Sequence, residues 1–145
     1  MKVAMGSDHA GFELKEAIRK HLLEEGYEII DEGTTSLDSV DYPVYGAKVG
    51  RAIIKGEAEL GVVVCGSGEG ICIAANKVKG IRCGIGYNLE TSGLLRQHNN
   101  ANVISFAGRY MTPEEVFPRV DKFLTTPFEG GRHERRVNEI RDLEK

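Results

Sequence analysis

Residues 62–78 read VVVCGSGEGICIAANKV. Three valines with no polar alternation end at Cys65, three glycines follow at every second position, and an apolar helix-like segment runs to about Asn76. An uninterrupted β-branched run suits a strand covered on both faces. The glycine turn then hands the chain to a helix, the unit from which parallel sheets are built. The same alternation extends outward in both directions. Val3–Met5, Tyr27–Ile30, Leu60–Cys65, the segment 81–87 and the segment 101–108 read as five strands. Between them Leu14, Ala17, Ile18 and Leu22, then Pro43 with Val44, Ala47, Val49 and Ile53, fall at helical spacing. Helices are also expected over 89–98, over 112–124 despite Pro118, and from about Arg132 to 144. The pattern predicts an α/β fold, a parallel sheet with helices on both sides, and ligands at the carboxyl ends of its strands. Strand order stays open.

The chain has 145 residues, enough for one domain with a real core, and no linker or repeat divides it. Hydrophobic residues at 41% and charged residues at 28% are ordinary for a globular protein. A net charge of −3 leaves no basic footprint for nucleic acid. No apolar run reaches membrane-spanning length and the amino terminus lacks a signal-peptide core, so no membrane partner and a cytoplasmic home are expected. The 3 cysteines, Cys65, Cys72 and Cys83, match no paired zinc spacing and fit a reducing compartment.

The glycine loop supports two readings. A dinucleotide fingerprint needs a sixth-position glycine, where Ile71 stands, and a triphosphate loop needs a Lys–Ser/Thr pair that is missing. Consecutive amides at a helix start still form an anion cradle, for a phosphate or for a transient oxyanion. A thiol just before such a start has a lowered pKa and can act as a base, but most buried cysteines are inert fillers. Asp8–His9 and His98–Asn99 read alone as capping residues, as does the loop GSDHAG around the first pair. His21 lies on a helix face and His133 in the charged tail, and neither receives a role. Arg132 and Arg136 share one helical face and Arg109 ends the fifth strand; arginine forks suit phosphate, and a solvated helix with Glu139 pairs is the bland alternative.

Five segments in order, SDHAG at 7–11, SVDYP at 39–43, CGSGEG at 65–70, HNNANV at 98–103 and GGRHERR at 130–136, resemble the ribose-5-phosphate isomerase B family, the RpiB/LacAB sugar-phosphate isomerases. The resemblance implies a Rossmann-like three-layer α/β/α sandwich with a five-stranded parallel sheet. It implies interconversion of ribose 5-phosphate and ribulose 5-phosphate through a cis-enediol, with neither metal nor organic cofactor. Carried onto this chain, Cys65 is the base, Ser67 and the amides of Gly66, Gly68 and Gly70 stabilise the enediolate, and His98 aids ring opening. Asp8 holds sugar hydroxyls, Tyr42 lines the pocket, Asn99 contacts the reacting oxygens, and His9, Arg109, Arg132 and Arg136 hold the phosphate. The tail arginines are expected in a neighbouring subunit's site, within a homodimer or homotetramer. Two departures stand out: Ser67 replaces a commoner threonine, and Ile71 occupies the place where some members carry a catalytic glutamate, so Glu69 is not the base.

Other readings predict different behaviour. A hexose 6-phosphate isomerase would share the chemistry and differ in substrate length. A non-catalytic nucleotide or phosphate module would bind without isomerising. A thiol redox protein would form a Cys65–Cys72 bridge.

Overall fold

Val62, Val63 and Val64 are fully buried, and the sheet assembles around them. The computed structural model describes residues 1–145. Strand β3 (Leu60–Cys65) lies at the centre, flanked by β1 (Lys2–Ser7) and β5 (Val103–Ala107). Strands β2 (Glu28–Asp31) and β4 (Cys83–Ile85) form the edges, giving the order β2-β1-β3-β5-β4 with every pair parallel. Six helices complete the fold: α1 (Phe12–Glu24), α2 (Tyr42–Ile54), α3 (Glu69–Asn76), α4 (Leu89–Gln97), α5 (Pro113–Thr125) and α6 (Arg132–Asp142). The expected elements are all present. The fourth strand is shorter than its apolar run, because it is an edge that pairs only with β5.

Side chains on a strand alternate between faces, and the two cores follow that period. Val3, Met5, Val62, Val64, Ile104 and Phe106 pack on one face against α1 and α5. Ala4, Val63, Cys65 and Val103 pack on the other against α2 and α3. The sulfur of Cys65 is therefore directed to the α2/α3 side. Helix α5 tolerates Pro118 because a Thr112–Glu115 capping box starts it and Val116, Val120, Phe123 and Leu124 anchor its buried stripe. Helix α6 stands outside both layers, burying only His133 and Val137. No helix is long and apolar enough to cross a membrane.

Strand order reverses between β1 and β3, whose following helices α1 and α3 pack on opposite faces of the sheet. At such a switch point the loops after two neighbouring strands diverge and leave a crevice. The loops concerned are 8–11 and 66–68.

The β2 end of this edge is fixed by a buried ion pair. Lys15 is fully buried, and its Nζ donates to Asp31 Oδ1 at 2.8 Å and to the Thr34 carbonyl at 2.6 Å. Asp31 Oδ1 also accepts from the Gly33 amide at 2.9 Å, and Gly33 and Thr34 bond in turn to Ser7. Removing Asp31 takes the nearest carboxylate from the buried ammonium and leaves it the Thr34 carbonyl and Glu16 Oε1 at 3.4 Å. Asp31→Ala is expected to cost about 3 kcal/mol, whereas Lys15→Met, which leaves only a half-exposed carboxylate, costs less than half of that; urea melts of the two variants check the order.

Candidate active site

The crevice at the carboxyl ends of β1, β3 and β5 holds a cavity of about 470 Å³. Cys65, Gly66, Ser67, Glu69 and Gly70 line one wall, Asp8 and His9 a second, and Tyr42, Ile73, Arg109 and Tyr110 the rim. Cys65 is buried with 4% exposure yet belongs to this lining, so the thiol closes the strand at the floor of the cavity.

The glycine loop is pinned from the β5 side. The Gly108 amide donates to the Cys65 carbonyl at 2.8 Å and the Arg109 amide to the Gly66 carbonyl at 3.0 Å, continuing the β3–β5 ladder past both strands. Ser105 Oγ donates to the Gly68 carbonyl at 2.6 Å. Gly68 caps α3 at φ 75°, and a Cβ there would stand 2.9 Å from the Phe106 carbonyl carbon and oxygen, so both its dihedral and its surroundings require glycine. Gly70 gives the Tyr42 ring its seat, since an added Cβ would lie 2.5 Å from Cζ. The start of α3, the positive end of the helix, thus lies at the cavity wall beside Cys65. Ser67 Oγ accepts from the Glu69 amide at 3.2 Å, which leaves its proton free to donate.

Polar groups on the β1 side are oriented the same way. Asp8 is buried, and its Oδ1 accepts from the Gly11 amide at 3.0 Å, leaving Oδ2 for a hydroxyl. The Val40 amide donates to His9 Nδ1 at 3.1 Å, so the neutral ring carries its proton on Nε2 and offers a donor. Only Arg19 and Arg135 among the arginines form ion pairs with carboxylates. Arg109, Arg132 and Arg136 are exposed cations with no acidic partner, as an anion site requires.

The candidate site residues fall into two groups within one chain. Asp8, His9, Tyr42, Cys65, Gly66, Ser67, Gly70 and Arg109 share the cavity, with Gly68 forming its turn. His98 and Asn99 do not. They precede β5, and in a parallel sheet the start of β5 lies at the edge opposite Cys65, about 13 Å away along the strand. Asn99 instead lines a second cavity with Cys83 and Ile140. Arg132 and Arg136 lie on α6, whose His133 stacks on His98 with ring centroids 4.1 Å apart and an interplanar angle of 12°. Ile71 is fully buried in the core, so the residue after the loop glycines presents no group to the cavity. Cys72 turns away from Cys65 and donates to the Cys83 carbonyl at 3.4 Å.

Two features escaped the sequence. Ile73 and Tyr110 are 60% and 79% exposed at the cavity mouth, where no periodicity distinguishes them from ordinary surface residues. His133, dismissed as part of a charged tail, is the buried partner of His98, and its Nε2 has no hydrogen-bond partner. Only helical spacing with Val137 hinted that it faces inward.

Residues 3–140 match the Ribose/Galactose Isomerase family. The chain belongs to this family. Like the relatives it matches over its full length, the chain is an isomerase. It is 44% identical to ribose-5-phosphate isomerase B of Escherichia coli over 99% of this chain and 97% of that one. The ribose-5-phosphate isomerase B structure from Clostridium thermocellum superposes with a TM-score of 0.98 at 44% identity, over 99% of this chain and 97% of that one. A Mycoplasma genitalium ribose-5-phosphate isomerase B with bound ribulose-5-phosphate gives 0.94 at 39% identity, over 99% of this chain and 95% of that one.

Burial holds the His133 pKa below its ordinary 6.5, and the charges of His98, Arg132 and Arg136 add to the effect against the opposing pull of Glu129. A histidine with a depressed folded-state pKa binds its proton more readily when unfolded, so its contribution to stability is lost as pH falls below about 6.5. The melting temperature is expected to drop as pH falls below about 6.5, and the drop should be shallower in His133→Asn when followed by circular dichroism.

Proposed function

We propose that the chain interconverts ribose 5-phosphate and ribulose 5-phosphate in a site completed by a second copy of itself. The observation that carries this reading is the Cys65 thiol at the floor of one cavity with the Ser67 hydroxyl, the α3 amides and the unpaired Arg109. Isomerising an aldose to a ketose moves one proton and one electron pair between neighbouring carbons. It needs a base, donors for the oxygen that becomes negative, and a grip on the remote phosphate. It needs no hydride acceptor.

The steps follow from those groups. The Cys65 thiolate removes the C2 proton of the open-chain aldose, the C2–H electron pair forms the C1–C2 double bond, and negative charge develops on the C1 oxygen. Amides from Gly66 to Gly70 and the Ser67 hydroxyl stabilise that oxygen. Return of the first proton to C1, with the C2 hydroxyl proton passing to the C1 oxygen as C2 becomes the carbonyl, yields the ketose. Asp8 Oδ2 accepts from sugar hydroxyls, Tyr42 walls the cavity, and His9 Nε2 and Arg109 hold the phosphate. Binding energy from that phosphate orients the reacting carbons.

Ring opening needs an acid–base group near the ring oxygen, and the neighbouring copy supplies it. His98, Asn99, Arg132 and Arg136 lie together on the far side of the sheet from their own Cys65. Exposed Ile73 and Tyr110 at the cavity mouth provide apolar surface for the contact. In this dimer, His98 opens the furanose, Asn99 contacts the reacting oxygens, and the two tail arginines complete the phosphate grip. The ribulose-5-phosphate bound in the Mycoplasma genitalium relative supports the choice of a pentose phosphate. The reaction is an internal step of carbohydrate metabolism, consistent with a cytoplasmic enzyme.

Cys65→Ala is expected to abolish exchange of the substrate C2 proton with solvent deuterium, a loss of at least about 100-fold, while ribose 5-phosphate still binds by calorimetry. Full exchange in that variant would remove the base assignment. Parallel kinetics with allose 6-phosphate and galactose 6-phosphate test the longer-sugar reading, which requires a hexose to be turned over faster than the pentose.

A further inference from the structure

Three consecutive carbonyls after α4 accept hydrogen bonds from two guanidinium groups. Arg82 Nε donates to the Asn99 and Asn100 carbonyls at 3.0 and 3.2 Å, and its Nη2 donates to Asn100 at 2.8 Å. Arg96 Nη1 donates to the Ala101 carbonyl at 2.7 Å and to Asn100 Oδ1 at 2.8 Å, while its Nε reaches the Thr126 carbonyl at 3.3 Å. Asn100 between them is the single non-glycine residue with positive φ, at 45°. The Asn102 side chain ties the same segment to the start of β4, accepting from the Arg82 amide at 2.8 Å and donating to the Gly80 carbonyl at 2.9 Å. These bonds fix the backbone that carries His98 and Asn99.

The arrangement is costly in electrostatic terms. Both guanidinium groups are half-buried, and neither belongs to the ion-paired arginines of the chain. Burial lowers the Arg82 pKa, with Glu144 opposing, and burial together with the charge of Arg82 lowers that of Arg96. Neutral donors or water would satisfy loose loop carbonyls at less cost. A charged, planar fork adds shorter bonds and two fixed directions at once, which a loop needs when its conformation must be unique.

We infer that Arg82 and Arg96 are positioning residues, a two-arginine clamp that holds His98 and Asn99 in the geometry the reaction uses. The inference rests on the proposed roles of His98 and Asn99. Neither arginine touches the Cys65 cavity; both line the cleft at the opposite sheet edge, with Met1 and Leu60. Lysine keeps the charge and loses the fork, so Arg82→Lys and Arg96→Lys probe geometry with little change in net field. Misplacement of a positioned group by about 1 Å costs on the order of 10- to 100-fold.

The test is a double-mutant cycle with His98→Asn, measuring turnover of ribose 5-phosphate by the full chain. Each lysine variant should lower kcat at least about 10-fold with KM within about threefold. In the His98→Asn background the same change should cost less than about threefold, because only Asn99 is left to be misplaced. Equal losses in both backgrounds, or full activity of the lysine variants, would overturn the clamp while leaving the proposed role of His98 intact. Unimpaired turnover by His98→Asn itself would overturn the assignment of His98 and the clamp with it. Arg82→Gln and Arg96→Gln repeat the cycle below their melting temperatures, and the same outcomes decide.

Discussion

A parallel sheet has two unlike edges, and every chemical group in this chain is assigned to one of them by the direction of its strand. Loops that leave β1, β3 and β5 converge at the carboxyl edge, and they bring Asp8, His9, Cys65, Ser67 and Arg109 around one cavity. The segment that enters β5 sits at the amino edge, so His98 and Asn99 are separated from the thiol by the length of a strand. No rotamer or loop adjustment within one chain closes that gap. In the proposed reaction the two sets therefore come from two copies of the chain.

Around the thiol, precision comes from the backbone. Hydrogen bonds from Gly108 and Arg109 extend the β3–β5 ladder into the glycine loop, and Ser105 fastens Gly68 from beneath. The cradle therefore inherits the rigidity of the central strands, which are among the most buried in the molecule. Strand alternation places Cys65 on the α2/α3 face, toward the helix whose first amides complete the cradle. A loop with bulkier residues would meet the Phe106 carbonyl or displace Tyr42.

Charges are distributed by the same logic of cost. Lys15, fully buried, is matched by Asp31, Glu16 and a carbonyl, because an unmatched interior ammonium is strongly destabilising. Arg109, Arg132 and Arg136 remain exposed and unmatched, at little cost in water, and stay available to a phosphate. Arg82 and Arg96 fall between these cases, half-buried and matched only by carbonyls and an amide oxygen. That intermediate position is where conformational specificity is gained at the expense of stability.

Composition, period and turn residues in the sequence were enough to determine five parallel strands, their helices and the place of Cys65 at a strand end before an amide-rich turn. Those signals are local, since a β-branched run, a glycine triplet or an apolar stripe acts over one or two turns of chain. Five ordered motifs added the family. The strand order, and with it the crevice between β1 and β3, depended on contacts between segments distant in sequence, which no local pattern encodes. His133 illustrates the limit: surrounded by charged neighbours in the sequence, it is buried against His98 only because α6 folds back onto the end of α4. Tertiary structure alone decided that the thiol and His98 occupy opposite edges, because that separation is a property of the assembled sheet and of no segment within it.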